Sequence, residues 1–403
     1  MSVSQLAITS ASLHHTEIAF VGSRGIPVSY GGAETFIEEL APRLLEHGFT
    51  VSVTCESTGF GEDDHGGITR LHIPAIQGRT LTIPTINDIV ATFYLLWKHP
   101  QVRLVYYVAP DGAPAALLAR LCGKKVVVNT DGIEWKRPIL RRPYFTPLWK
   151  FISFFTSGYL RFCEWLAVNI AHAVIADSKA IKTYLERSYR TTRAVYIPYG
   201  ARKLLTTTIA SGEEKQVLDS FALSPGDYYL TVGRIVAENN IHLELEGFKR
   251  SNSSRKLVIV GNFNPKDSYN RFLERLKGDD SRIVLLDPIY HKQTLGILRK
   301  NCSAYIHAYE LGGTNPSLLE QMAFGRPILA LDVPFHREVL GEGGIYFATA
   351  DGLAQCIMAL ENGSYDLHQL AACYARRLAE DYNWETVAQK YSALFRNLLQ
   401  PLK

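Results

Sequence analysis

The stretch His307-Ala308-Tyr309-Glu310-Leu311-Gly312-Gly313-Thr314-Asn315-Pro316-Ser317-Leu318-Leu319-Glu320 joins an apolar segment to a helical one across a glycine pair. Ala304 to His307 reads as a buried strand, and Pro316 to Phe324 as a helix that begins at proline with Asn315 as its cap. Between them, Gly312 to Asn315 would present backbone donors on which a diphosphate could rest. Glu320 follows about one turn into the helix, on the face that would reach a ribose hydroxyl. His307 reads as a core histidine. A turn, a cap and an inward carboxylate therefore meet at the carboxyl end of a strand.

The same rhythm extends on both sides. Strands are expected at Tyr229 to Val232, Lys256 to Val260, Ile283 to Leu286, Pro327 to Leu331 and Ile345 to Phe347. Helices are expected between them at Ile241 to Lys249, Ser268 to Lys277 and Thr294 to Lys300. In the first half, Ile18 to Val21 is a strand ending in Gly22-Ser23-Arg24-Gly25. After Gly31-Gly32, the residues Phe36, Leu40 and Leu44 recur at helical spacing up to His47-Gly48. Further strands are expected at Val51 to Val53, Leu104 to Val108, Lys125 to Asn129, Ala173 to Ala176 and Ala194 to Ile197, with helices at Ala113 to Leu121 and Lys179 to Arg187. Such alternation predicts an α/β fold with largely parallel sheets covered on both faces. A polar, irregular stretch after Pro198-Tyr199-Gly200, running to about Gly226, marks a boundary. The expected domains are 1–200 and 201–380, with 381–403 a C-terminal helix crossing back to the first; the amphipathic part of that helix is Trp384 to Leu399.

The 403 residues carry 43 Lys and Arg against 39 Asp and Glu, a net charge of +4, and 47% are hydrophobic. That balance excludes whole-chain disorder and gives little support to a nucleic-acid role. Six cysteines without a C-x-x-C pair argue against a disulfide framework and a cysteine zinc site, and a cytoplasmic setting is expected. No basic residue precedes Arg24 and no long apolar run precedes the first strand, so neither a signal peptide nor an anchor is expected. The greasiest segment, Trp149 to Ile170, contains Lys150, Arg161 and Glu164. Its uncharged part, Phe151 to Leu160, is too short to span a bilayer.

Neither glycine loop carries the dinucleotide pattern G-x-G-x-x-G or the P-loop lysine motif. Both accommodate an anion or a sugar, and a tight strand-to-helix turn explains the first equally well. Glu34 on the first helical turn suits the helix dipole.

In order and separation, three pieces resemble the retaining nucleotide-sugar glycosyltransferases of family four, which have the GT-B architecture of two Rossmann-like parallel-sheet domains facing across a cleft. They are Gly22-Ser23-Arg24-Gly25-Ile26-Pro27 through Tyr30-Gly31-Gly32-Ala33-Glu34; Val232-Gly233-Arg234; and Gly312 to Glu320 followed by Met322-Ala323 and Gly325-Arg326-Pro327. With Asp131-Gly132-Ile133-Glu134-Trp135-Lys136-Arg137 and Glu238-Asn239-Asn240, the match looks closest to a subgroup with rhamnosyltransferases of bacterial surface polysaccharide assembly. The resemblance implies transfer, without a metal or cofactor, of a hexose-type sugar from a nucleoside diphosphate donor to a saccharide acceptor. That subgroup suggests dTDP-rhamnose as donor, an undecaprenyl-diphosphate-linked acceptor and a peripheral position on the inner face of the cell membrane.

Carried over residue by residue, the resemblance makes Asp131, Arg234 and Glu310 the catalytic candidates. Gly31, Gly32, Arg234, Asn239, Gly313, Thr314, Asn315, Ser317 and Glu320 become nucleotide-sugar contacts. Arg24, Tyr30, Glu34, Glu134 and Lys136 become acceptor or sugar contacts. Two departures stand out. The family's first glutamate falls at Gly312, with Glu310 two positions early, and the loop after Arg234 has no lysine. Charge on the departing diphosphate would be met by Arg234 and backbone dipoles. In front-face transfer that phosphate itself helps to remove the acceptor proton.

No Asp-x-Asp pair stands at a suitable place, and Asp63-Asp64 and Asp279-Asp280 read as solvated surface. Trp135-Lys136-Arg137, Arg141-Arg142 and the aromatic run from Tyr144 to Phe162 read either as a packed helix behind a solvated charge run or as a surface that meets anionic lipid. The rival readings are a nonhydrolysing nucleotide-sugar epimerase and a non-catalytic nucleotide-sugar binding protein.

Overall fold

The computed structural model describes residues 16–27, 31–76, 83–130, 132–202, 204–205 and 211–400. The first sheet contains β1 (Thr16–Val21), β2 (Phe49–Ser57), β3 (Gly61–His65), β4 (Ile68–Pro74), β5 (Leu104–Tyr107), β6 (Lys125–Thr130), β7 (Ala173–Ala176) and β8 (Ala194–Tyr196). Its strand order is β3-β4-β2-β1-β5-β6-β7-β8, and only β3 runs antiparallel to its neighbour. The second sheet holds β9 (Tyr228–Val232), β10 (Lys256–Val260), β11 (Ile283–Leu286), β12 (Ala304–His307), β13 (Ile328–Leu331) and β14 (Ile345–Phe347). Its order, β11-β10-β9-β12-β13-β14, is parallel throughout. These are the two Rossmann-like sheets expected from the alternation.

The central strands read as unbroken apolar runs because helices cover both faces. Leu104, Val105, Tyr106 and Tyr107 of β5 are all buried, as are all four residues of β12 and of β13. On one face of the first sheet, the helices Ile83–Lys98, Ala113–Leu121 and Pro147–Ile170 pack on Val21, Val105, Tyr107 and Val128. The last helix, Trp384–Leu399, lays its aromatic side against the other face of the first domain. Tyr391 and Phe395 meet Phe36, Phe49 and Tyr106, and the hydroxyls of Tyr106 and Tyr391 lie 3.3 Å apart.

Several segments depart from the sequence reading, among them the helices Pro334–Leu340, Ala350–Glu361 and Leu367–Glu380, which it did not contain. The stretch expected to be irregular up to Gly226 contains the helix Ser211–Ser220, whose Leu218 is buried. The hairpin β3–β4 and the helix Ile83–Lys98 were not anticipated. Asp63 is not simply solvated: it sits opposite Arg70 in the hairpin register and accepts from its Nε at 2.7 Å and its Nη2 at 2.6 Å. The helix expected over Pro316 to Phe324 ends earlier, as Pro316–Met322.

Candidate functional site

In a doubly wound sheet, ligands bind beyond the carboxyl ends of the strands where the strand order reverses. The first sheet reverses between β1 and β5, and the second between β9 and β12. The loops after all four strands converge on one cleft of about 780 Å³ between the domains. Its first wall carries Arg24, Gly31, Gly32, Glu34 and Glu134; its second carries Arg234, Asn239, Gly313, Asn315, Ser317 and Glu320.

Arg234 stands exposed at the mouth of β9. Among the described residues its guanidinium makes no hydrogen bond or ion pair, whereas its carbonyl accepts from Asn239 Nδ2 at 2.8 Å. Asn239, expected to touch the donor, thus fixes the loop that presents Arg234. The second arginine of this wall was invisible to sequence reasoning. Arg299, on the helix Lys292–Asn301, is fully buried behind the glycine loop. It donates to the Ser317 carbonyl at 3.1 Å, to Ser317 Oγ at 2.7 Å and to Glu320 Oε2 at 3.2 Å. Burial pushes the Glu320 carboxyl above its ordinary range, and the Arg299 charge opposes that. Ser317 Oγ also lies 2.9 Å from the Tyr305 hydroxyl and 3.2 Å from the Val232 carbonyl, so the start of this helix is pinned to both β9 and β12.

A second tie between those strands comes from Glu244 on the helix Ile241–Ser251. One carboxylate oxygen lies 2.6 Å from Thr231 Oγ1 and the other accepts from the Ala308 amide at 3.2 Å. Thr231 Oγ1 also lies 3.1 Å from the Ile306 carbonyl, and a hydroxyl has one proton for two acceptors. A protonated Glu244 resolves this by donating to Thr231. Burial indeed pushes Glu244 up to about 8.

The domains also touch across the cleft. Gly313 meets the end of the first sheet, where a Cβ would stand 1.7 Å from Asp177 Oδ1, so only glycine fits. The next amide, Thr314, donates to Asp177 Oδ2 at 2.8 Å, and the Thr314 hydroxyl bonds to the Asp177 carbonyl. One donor of the expected phosphate cradle therefore faces a carboxylate from the other domain. Gly312 has φ +136°, which a glutamate there would rarely adopt; the family's first glutamate does not suit this loop. Farther along, Glu238 of the second domain is fully buried and accepts from Arg141 Nε at 2.8 Å, with Arg137 Nη1 at 3.6 Å. Arg137 also holds Glu134 at 2.8 Å. Burial pushes the Glu238 carboxyl up, but the hydrogen bonds and charge of Arg141 outweigh it and hold the group below its ordinary range.

The remaining expected residues fall into three groups. Glu34 accepts from the Arg24 amide at 3.1 Å and faces the cleft beside Gly31 and Gly32. Glu310 does not line the cleft, and its carboxylate lies 3.4 Å from Asn240 Nδ2. Lys136 is also off the cleft, 5.8 Å above the Trp135 ring. Asp131 and Tyr30 lie outside the described residues. His307 is buried between the Tyr305 and Tyr309 rings, as a core residue should be, but neither ring nitrogen has a hydrogen-bond partner among the described residues. No cluster of three or more His, Cys, Asp or Glu suited to a metal occurs among the described residues.

Two parallel-sheet domains with a cleft at their facing carboxyl ends make the GT-B fold, which this chain shares with solved structures of glycosyltransferases. Residues 226–362 match the family Glycosyl transferases group 1, and residues 15–202 match a domain of unknown function, DUF1972. The O-antigen chain mannosyltransferase RfbU of Salmonella typhimurium is 24% identical over 292 residues, which span 69% of this chain and 75% of that protein. Sucrose-phosphate synthase from Thermosynechococcus elongatus shares the fold with a TM-score of 0.78 at 18% identity, over 95% of this chain and 99% of the other. HepE of Anabaena, solved with UDP and glucose, gives 0.72 at 15% identity over 95% and 100%.

Proposed function

We propose that this chain is a retaining glycosyltransferase that moves a sugar from a nucleoside diphosphate to a saccharide acceptor in cell-surface polysaccharide synthesis. The observation that carries this reading is the guanidinium of Arg234, unpaired among the described residues and exposed in a cleft whose same wall holds the Gly313–Ser317 loop and Glu320. Arg234 neutralises the leaving diphosphate, a stabilisation of the kind worth roughly 3–4 kcal/mol in other active sites. Glu320, held by Arg299, binds the ribose. Gly313, Asn315 and the Thr314 amide, once released from Asp177, cradle the phosphates. Gly31, Gly32, Arg24 and Glu34 face the acceptor side, with Glu134 beside them. Asp131 keeps the catalytic role and Tyr30 the acceptor- or sugar-contact role that the resemblance implies, and no role is assigned to Glu310 or Lys136, which lie off the cleft. No protein metal enters the step. The donor is dTDP-rhamnose on subgroup resemblance, and an O-antigen mannosyltransferase among the relatives supports a polysaccharide acceptor.

A lipid-linked acceptor is supported by the helix Pro147–Ile170. Its buried side is small or polar, with Ser153, Ser157, Cys163 and Ala167, while Trp149, Phe151, Phe154, Phe155, Phe162 and Trp165 are exposed. Lys150 lies among them, and Arg142 stands 5.9 Å over the Phe154 ring. No helix among the described residues is long and apolar enough to cross a membrane. Such a face suits the interface of an anionic bilayer, where aromatic rings sit at headgroup level.

The test combines dTDP-rhamnose, UDP-hexoses and undecaprenyl-diphosphate saccharides in a nucleotide-release assay on anionic vesicles. Release that needs both donor and acceptor, falls with R234A, and weakens when Phe151, Phe154 and Phe155 become serine supports the reading. Turnover of a nucleotide sugar with no acceptor would favour an epimerase instead.

A further inference from the structure

Beside the cleft, the reversal point of the first sheet opens into a smaller cavity of about 130 Å³. Gly22, Val108, Ala109 and Asp111 line both spaces, so the two communicate. The distinguishing residue is Asp88, on the helix Ile83–Lys98, which is only 8% exposed. Among the described residues it forms no hydrogen bond or ion pair. Its carboxylate lies against the cavity wall, where a Cβ on Gly22 would come within 3.3 Å of its oxygens and one on Gly112 within 2.9 Å. Burial, then the nearby charges of Asp111 and Glu56, hold Asp88 well above the ordinary carboxylate range. Glu56 and Asp111 line the same space, with Asn87 Nδ2 3.5 Å from Glu56 Oε1. No lysine or arginine lines it among the described residues, whereas five arginines line the adjoining cleft: Arg24, Arg137, Arg141, Arg234 and Arg299.

A buried carboxyl without a partner is costly, and native chains rarely keep one unless something satisfies it. We propose that this cavity receives the terminal sugar ring of the acceptor and selects a ring that carries hydroxyls and no negative charge. The inference rests on the transferase reading and adds the acceptor's chemical class. An engineered cavity of about 150 Å³ admits a benzene ring; at about 130 Å³ this one takes part of a bulkier sugar ring, and the rest stands in the adjoining cleft. Ring hydroxyls supply the hydrogen bonds that Asp88 lacks and meet Asn87. A uronic acid would instead bring its carboxylate against Glu56 and Asp111, and beside an Asp88 carboxyl whose own charge the site already disfavours; such like-charge contacts suppress wrong partners. The pocket is acidic and the adjoining cleft carries Arg234 on its second wall, so charge keeps a diphosphate out of the pocket while an uncharged ring can enter it.

The experiment is saturation-transfer NMR on the full chain with methyl glycosides of neutral, 6-deoxy and amino hexoses and with methyl glucuronide. Nucleotide-sugar calorimetry runs alongside. At least one uncharged or amino glycoside should bind about tenfold or more tightly than the glucuronide. Asp88→Leu should abolish that binding, and Glu56→Gln, which removes a lining charge, should narrow the gap; the Gln variant carries the test if the Leu variant does not fold. Equal binding of the glucuronide, an unchanged selectivity in Glu56→Gln, or no glycoside bound by a chain that binds nucleotide sugar overturns the inference alone. If nucleotide sugars fail to bind as well, the transferase reading falls with it.

Discussion

The reversal points of the two sheets are the same topological event with opposite chemistry. In the first domain, the loops after β1 and β5 surround Asp88, Asp111 and Glu56 with no basic residue among the described lining. In the second, the loops after β9 and β12 present Arg234 openly and Arg299 from behind. The parallel sheet decides where a ligand can sit; the few side chains at each reversal decide which ligand. A second contrast lies within the basic wall itself. Arg234 is exposed and unpaired among the described residues, as a ligand-binding group should be. Arg299 is buried and committed through both Nη groups, and serves Ser317 and Glu320.

The largest effect should come from breaking that second arginine. Arg299→Met leaves Glu320 buried without its cation, which in comparable sites costs about 3–5 kcal/mol. Urea unfolding should show the loss, whereas R234A should stay within about 0.5 kcal/mol of the wild type because it removes an exposed, unpaired group. Equal stability of the two variants would erase the distinction between a positioning and a binding arginine.

Next comes the pH dependence of the second reversal point. Burial holds Glu244 at about 8 in the folded chain against 4.5 as a free group. The folded state therefore binds the extra proton, and this stabilisation is fully present below 4.5 and lost as pH rises through 8. The slope is at most about 1.4 kcal/mol per pH unit. Glu244→Gln reproduces the protonated acid, donating to Thr231 and accepting from Ala308. Unfolding at pH 5 and pH 8 should differ less for Glu244→Gln than for the wild type; an unchanged difference assigns the dependence to other groups. The smallest effect is the cap: Asn315 Oδ1 accepts from the Ser317 amide at 3.0 Å, and Asn315→Ala should cost about 1 kcal/mol in the same assay.

What the sequence disclosed follows from these interactions. All six strands of the second domain were legible because each is a short apolar run between helical segments. The hairpin strand Gly61-Glu62-Asp63-Asp64-His65 was not, since an edge strand with both faces wet carries no alternation. The helix Ser211–Ser220 hid behind its polar composition. The glycine loops were singled out by pattern and Arg234 by the family resemblance, and all of them line the cleft. Arg299 was not, because an arginine on a helix reads as solvated until a buried carboxylate is placed beside it. Asp88 was missed for the same reason, with an apolar helix as its only local context. The Arg141–Glu238 pair joins residues 97 positions apart and has no local signature.

The central claim is that the basic wall binds a nucleoside diphosphate sugar through Arg234. Calorimetry of a nucleotide-sugar panel against the wild type and R234A tests it most directly. The account predicts that at least one nucleotide sugar binds the wild type and that R234A weakens it by about 1.5–3 kcal/mol, the worth of a charge-assisted hydrogen bond. A folded wild type that binds no nucleotide sugar at millimolar concentration, or an R234A variant that binds as tightly, would contradict it.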